Sequence, residues 1–301
     1  DFRGGKTNTL FDHSLEEAIR RFQRRHGLDE DGVIGTQVIN ALNVSPSARL
    51  HQIELNLERL RWVTPPLSDE SYIRVNIPDF RLEVFEHDRP VLAMNVVVGL
   101  QKEWQTPSLS SEISYLILNP RWHVPTKIFE KELLEKIQKD PNYLEHENMK
   151  LYRGDGDKAE EVDTKNFKWN EEEIKDLRLI QGEGRGNALG RIKFMFKNPF
   201  DIYLHDTPQQ PFFKKRIRTF SHGCIRVEKP MELAEYILRG DSRWTYEKFI
   251  KELDKGKNEF LRLHQPIPLH ILYLTAWVDP DGMVQFREDV YGWDKKSPQQ
   301  N

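Results

Sequence analysis

The stretch from Ser221 to Val227 reads Ser-His-Gly-Cys-Ile-Arg-Val and contains the only cysteine of the 301-residue chain, Cys224. A single thiol cannot form a disulfide within the chain. It lies two residues after His222, and a second histidine, His205, precedes it by a short distance. Only the thiolate attacks efficiently, and a nearby imidazole can take its proton or stabilise the anion. The neighbours therefore predict a nucleophile, although an isolated cysteine is more often a small buried side chain.

His205 ends a predicted strand, and side chains alternate along a strand, so Tyr203 and His205 should share one face. Gly223 allows a substrate backbone to approach closely, and the amides of Gly223 and Cys224 could point at a developing oxyanion. In an extended backbone His222 would lie on the same side as Cys224. Either histidine is therefore a candidate for the base.

The residues alone leave three interpretations of this stretch open. The first is a thiol nucleophile with an imidazole base, which is acyl-transfer chemistry. The second is a zinc site formed by His205, His222 and Cys224, although the His-Gly-Cys spacing is atypical of zinc ligands. The third is a buried thiol and buried imidazoles without a chemical role.

The composition narrows the class of protein. Apolar residues make up 38 % of the chain and aromatic residues 11 %, enough for a substantial core. The net charge of -3 results from 45 basic and 48 acidic side chains, which gives no indication of nucleic-acid binding. No apolar run approaches the ~20 residues that cross a bilayer, and no signal sequence is recognisable.

The pattern of the chain predicts an α+β protein in three parts. Residues 1–46 read as a helix-loop-helix module, and residues 47–71 as a helical connector with Leu50, Ile53, Leu57 and Leu60 on its apolar face. Residues 72–301 are rich in predicted strands. Within them, the strand pattern stops over about residues 122–181, which predicts an inserted, mainly helical cap.

Two sets of residues resemble known families. The run from Ala18 to Gly35 resembles the second half of a three-helix peptidoglycan-binding module, whose first helix would precede residue 1. The run from His205 to Pro208, His-Asp-Thr-Pro, together with Ser221 to Val227, resembles the signature of the L,D-transpeptidases. The C-terminal run from Leu272 to Trp277 is similar to the large Gram-negative branch of that family, which carries a peptidoglycan-binding module and a capping subdomain.

The resemblance implies a reaction and roles for four residues. Cys224 would attack the carbonyl between the third and fourth residues of a donor stem peptide, releasing D-alanine and forming a thioester. An amine of a neighbouring stem would then attack, giving a 3-3 cross-link. His205 would be the base, oriented by a backbone carbonyl, while His222 and Gly223 would support the turn or the oxyanion.

Four further residues are expected to contact the substrate. Tyr203 would contact substrate or the oxyanion, and Arg226 either a stem carboxylate or the loop that it pins. Trp122 would line the cleft or serve as a packing anchor. Asp206, where many family members have glycine, is grouped with these contacts.

The resemblance also implies peptidoglycan as partner, inhibition by carbapenems and other β-lactams, a periplasmic location, and no metal or cofactor. Several other functions stay open at this stage: a non-catalytic peptidoglycan-binding protein, an L,D-carboxypeptidase, D-amino-acid exchange, and anchoring of a lipoprotein to the wall. A papain-type protease is disfavoured, because its cysteine precedes its histidine in the chain.

Overall fold

The computed structural model of the protein describes residues 11–63, 71–154, 159–164 and 167–295. Three helices come first: α1 (His13–Arg25), α2 (Thr36–Leu42) and α3 (Pro46–Arg61). Helix α1 is capped by Asp12, whose carboxylate accepts from the Leu15 amide. These three helices bury few apolar side chains, namely Ala18, Ile19 and Val38.

The connector helix α3 docks through its polar face. The Asn56 side chain donates to Thr275 Oγ1 at 2.8 Å and accepts from the Thr275 amide at 2.9 Å. Arg59 forms an ion pair with Asp294 at 2.6 Å. Leu50 and Leu57 are more than half exposed. Buried amide hydrogen bonds and an ion pair therefore hold the side of the helix that carries Asn56 and Arg59.

The strand-rich part is built around one large sheet. Its strands are β1 (Ser71–Asn76), β2 (Arg81–Glu86), β3 (Arg89–Gly99), β4 (Leu109–Leu118), β9 (Ile192–Phe196), β10 (Leu204–His205), β11 (Thr219–Ser221), β12 (Ile225–Val227) and β13 (Glu259–Leu272). Their order is β11-β3-β12-β10-β9-β4-β13-β1-β2. Because β2 also pairs with β3, eight strands close into a ring, and β11 attaches at the end of β3.

The core fills this ring and the space beneath two helices, α8 (Pro230–Leu238) and α9 (Tyr246–Asp254). Its fully buried members include Ile73, Val75, Leu116 and Phe194. A small two-stranded sheet, β14 (Ala276–Val278) and β15 (Val284–Phe286), contacts helices α3 and α1. No helix in the described part of the chain is long and apolar enough to cross a membrane. This arrangement is the α+β, β-rich architecture expected from the sequence.

The segment between β4 and β9 forms a layer with its own apolar core. It contains strands β5 (Trp122–His123), β6 (Met149–Arg153), β7 (Glu160–Glu161) and β8 (Leu177–Gln181), and helices α4 (Thr126–Ile128), α5 (Leu134–Lys139), α6 (Tyr143–His146) and α7 (Glu171–Ile174). A π-helical turn, Phe129–Leu133, joins α4 to α5. Helices are present here, as expected for the cap, but the expectation that strands stop over this segment is wrong. Leu151 and Leu179 are buried by pairing of β6 with β8.

Candidate active site

Strand register brings the residues around the cysteine onto one face of the sheet. His205 pairs with Arg226 on the parallel neighbour β12 and with Lys193 on the antiparallel neighbour β9. Tyr203 and Cys224 lie two residues before His205 and Arg226, so they project from the same side. We call these five residues the thiol face. The intervening residues are fully buried in the core on the opposite side: Phe194, Leu204 and Ile225.

Cys224 is partly buried on this face. Burial raises the pKa of its thiol, while hydrogen bonding with Tyr203 and the positive charges of Lys193 and Arg226 oppose that rise. Burial, and then the neighbouring Cys224, raise the pKa of Tyr203 well above its usual range, so the phenol keeps its proton. Tyr203 is therefore a donor that can stabilise a charge on sulfur.

His205 is the more deeply buried histidine, with 4 % exposure. Its Nδ1 lies 2.5 Å from the carbonyl oxygen of Asp206. A carbonyl only accepts, so Nδ1 carries the proton and Nε2 keeps its lone pair. Burial, and then the Arg226 charge, lower the pKa of His205 to about 3. The ring meets Tyr203 edge-on at 5.7 Å between centroids, which confirms that the two side chains share a face.

The turn before Cys224 depends on Gly223, whose φ of 105° is a conformation that side-chain-bearing residues rarely adopt. The Gly223 amide donates to Ser221 Oγ at 3.2 Å, and its carbonyl accepts from Thr106 Oγ1 at 2.9 Å. Ser221 Oγ also donates to the Cys224 carbonyl at 2.5 Å. The Gly223 amide, expected at the oxyanion, is thus engaged within the turn itself.

His222 does not follow the alternation expected of an extended backbone, because Gly223 turns the chain between it and Cys224. Its Nε2 lies 2.6 Å from Glu132 Oε1, in the π-helical turn of the insertion. Its ring meets Trp104 edge-on at 5.0 Å between centroids. The two histidines therefore have separate partners, which argues against both ligating one metal ion.

Arg226 and Asp206 contact the framework of the site. Arg226 Nη1 donates to Gln209 Oε1 at 2.6 Å, and its buried Nε has no partner within the described ranges. The two carboxylate oxygens of Asp206 accept from the backbone amides of Thr207 at 2.7 Å and Arg191 at 2.8 Å. Backbone donors therefore engage both oxygens of Asp206, and the expected substrate contact of this residue stays a prediction.

A cleft of about 630 Å³ reaches the turn at His222 and Gly223. Its described lining is largely apolar and includes Trp104, Phe200 and Trp293. Trp122 is not in that lining; it packs against the core of the insertion, as the packing-anchor alternative predicted. The tryptophan at the cleft is instead Trp104, in the loop between β3 and β4.

Three residues near the site were missed by sequence reasoning: Lys193, Trp104 and Glu132. Lys193 is the most informative, because its ammonium lies 3.6 Å from the centroid of the Tyr203 ring and its charge acts on Cys224. Burial lowers its pKa. The available signal was a lysine among apolar residues in a predicted strand, on the face that alternation leaves away from the core.

Comparison with known proteins identifies the family of the chain. A family model described as L,D-transpeptidase catalytic domain matches residues 70–247, more than half of the chain. A second, described as "Putative peptidoglycan binding domain", matches residues 1–42. The chain belongs to the L,D-transpeptidase family.

One curated relative has moderate sequence identity to the chain. A Haemophilus influenzae protein described as "Putative L,D-transpeptidase" is 30 % identical over 245 residues, covering 81 % of this chain and 48 % of that protein. The chain thus spans about half the length of the curated relative that it matches.

Solved structures show lower similarity. An L,D-transpeptidase from Stackebrandtia nassauensis is 13 % identical, covering 90 % of this chain and 84 % of that one, with a TM-score of 0.31. L,D-transpeptidase 3 from Mycobacterium tuberculosis, in complex with a faropenem-derived adduct, is 11 % identical, covering 67 % and 60 %, with a TM-score of 0.30. The family assignment therefore depends on the sequence match.

Proposed function

We propose that the protein is a peptidoglycan L,D-transpeptidase that forms 3-3 cross-links through a thioester on Cys224, with release of D-alanine. The observation that carries this proposal is the thiol face, where a cysteine, a phenol donor and an imidazole of fixed tautomer lie on paired strands. Family membership supports acyl transfer, and the match of residues 1–42 supports a peptidoglycan substrate.

In the first half-reaction, the resting pair is neutral. Burial raises the pKa of Cys224 and lowers that of His205, so neither group is charged near pH 7. The proton therefore moves from Sγ to Nε2 of His205 as sulfur attacks the carbonyl. The imidazolium then returns this proton to the nitrogen of the departing D-alanine, and the acyl group remains on sulfur.

The remaining members of the thiol face stabilise charge during this step. The Tyr203 hydroxyl donates to sulfur, or to the oxyanion beside it, while negative charge develops. Lys193 and Arg226 supply positive charge, and the buried Nε of Arg226 is a donor for a stem carboxylate. Asp206 and Gly223 hold the two loops that carry His205 and Cys224.

The test is incubation of purified protein with tetrapeptide-containing muropeptides, read by mass spectrometry. Wild-type protein should release D-alanine and form dimers, while Cys224→Ala should form none. Dimer formation by Cys224→Ala would refute the nucleophile. Products from water, D-amino acids or a protein lysine in place of dimers would instead assign carboxypeptidase, exchange or anchoring activity. Binding to sacculi without any product would indicate a non-catalytic wall-binding protein.

The same thiol should react with β-lactams. A carbapenem is expected to acylate Cys224, seen as an intact-mass increase that Cys224→Ala lacks. His205→Ala should slow this acylation more than His222→Ala, because His205 shares the face of the thiol. The opposite order would make His222 the base. A peptidoglycan substrate places the enzyme in the cell envelope, in the periplasm of a Gram-negative cell.

A further inference from the structure

His222, in the turn before Cys224, has a carboxylate partner from a distant part of the chain. Glu132 comes from the insertion and lies 2.6 Å from Nε2 of His222. An ionised carboxylate only accepts, so Nε2 carries the proton and Nδ1 is left as the basic nitrogen. This is the arrangement in which a carboxylate fixes the tautomer of a general base.

The insertion holds Glu132 in place by several contacts. Glu132 lies in the π-helical turn, between the buried Phe129 and Leu133. Such turns are rare and occur frequently at functional sites. On the same helical stretch, the ammonium groups of Lys127 and Lys131 lie 3.7 and 3.6 Å from Glu103 in the loop between β3 and β4. These exposed ion pairs join the helix to the loop that also places Trp104 beside His222.

The Glu132–His222 pair lies beside the cleft, which His222 lines. The His222 side chain is 24 % exposed and lines the cleft of about 630 Å³. Next to it, the wall is formed by Trp104, with Phe200 and Ile202 further along. An apolar wall that ends at an imidazole suits an alkyl arm that carries a primary amine.

We propose that Glu132 and His222 form a carboxylate–imidazole pair that takes the proton from the acceptor amine, and that this cleft admits the amine's alkyl arm. The inference rests on the proposed transpeptidase function and assigns its second half-reaction. His222 is the catalytic base of that step, and Glu132 is a positioning residue. His205 serves the first half-reaction on the thiol face.

The neutral amine nitrogen attacks the thioester carbonyl, and His222 Nδ1 takes one proton from nitrogen as the C–N bond forms. The C–S bond then breaks, and its electron pair stays on Sγ of Cys224. The His222 imidazolium then gives its proton to solvent and sulfur regains one, which restores the neutral imidazole and the thiol, and the product amide keeps the other proton on nitrogen.

The experiment measures the two half-reactions separately in the full chain. Acylation is followed with a carbapenem by intact mass, which needs no acceptor. Transfer is followed from the stem acyl-enzyme to a diamino-acid stem, to water, and to hydroxylamine, which is neutral at pH 7 and attacks thioesters without a base. The variants are Glu132→Gln and His222→Gln. Glu135→Gln is the matched control, since Glu135 lies on the same helical stretch and pairs with Lys139.

We expect Glu132→Gln to slow transfer to the stem amine about 10-fold or more, and His222→Gln about 100-fold, as for loss of a general base. Carbapenem acylation and transfer to hydroxylamine should stay near wild type, and the control should change nothing. Equal losses in acylation and in transfer to every acceptor would overturn the proposal and give His222 a structural role. The Glu132→Gln substitution leaves the turn at Gly223 intact. An unchanged rate of transfer to the stem amine in this variant would also overturn the proposal. Wild-type protein that never acylates would instead refute the proposed function.

Discussion

Replacement of Tyr203 by phenylalanine tests whether the phenol sets the reactivity of the thiol. The substitution removes one hydroxyl and keeps the ring, which contacts the Lys193 ammonium at 3.6 Å and the His205 ring at 5.7 Å. Hydrogen bonds from the Tyr203 backbone and then from its hydroxyl lower the pKa of Cys224, and the variant loses only the second. Because burial already raises that pKa, the variant should have a still less acidic thiol.

The size of the effect follows from the charge on the acceptor. A hydrogen bond to an ionised group contributes about 1.5–3 kcal/mol. One pKa unit corresponds to about 1.36 kcal/mol, so the thiol pKa should rise by about one to two units. At a fixed pH below both values, the thiolate fraction should fall about 10- to 100-fold, and the rate of alkylation should fall with it.

The assay is the pH dependence of alkylation by iodoacetamide, followed by intact mass. The chain has one cysteine, so every adduct reports on Cys224. Tyr246→Phe is the control, because Tyr246 is a partly exposed tyrosine on helix α9, outside the thiol face. An alkylation midpoint for Tyr203→Phe equal to that of wild type would refute the proposed donation to sulfur.

Three further predictions follow from the same structure. Lys193→Met should also raise the thiol pKa, because it removes a positive charge acting on Cys224. In the double variant with Tyr203→Phe, the two pKa shifts should not add, since the two side chains touch. Gly223→Ala should lower the free energy of unfolding by about 1–3 kcal/mol and slow carbapenem acylation. The cause is the backbone φ of 105°, since an added Cβ would meet nothing closer than 3.7 Å. An unchanged denaturation midpoint would contradict this prediction. The pKa of His26 is lowered to about 4 by burial, below the unfolded value of 6.5, so its contribution to stability is complete above pH 6.5 and is lost as the pH falls towards 4. Denaturant unfolding should give a lower free energy of unfolding at pH 5 than at pH 7.5 for the wild type. In His26→Leu this decrease should be smaller by at most about 2 kcal/mol, and equal decreases in the two proteins would contradict the prediction.

The interface made by His26 shows how local sequence and tertiary contacts combine. Its ring stacks on Phe22 of α1 at 3.9 Å and on Phe286 of β15 at 5.5 Å between centroids. Phe22 falls at helical spacing from the buried Ala18 and Ile19, but that spacing could not indicate a partner so far along the chain. The polar docking of α3 was missed for the same reason.

The sequence by itself determined the motif around Cys224, the strand that ends at His205, and the α+β class. These depend on short-range information: alternation shows which residues share a face of one strand, and the order of residues in a motif is read directly. The shared face of Tyr203 and His205 is a result of this kind. The resemblance of the motif then indicated the family that the comparisons confirmed.

Only the tertiary structure decided which elements lie beside the motif. Lys193 joins the thiol face because β9 pairs with β10, and Glu132 reaches His222 because the insertion folds back over the turn. Trp104 lies at the cleft in place of Trp122 because the latter packs against a separate core. The physical reason is that periodicity fixes the face on which a side chain lies, whereas the neighbour of that face depends on strand order and packing across the whole chain.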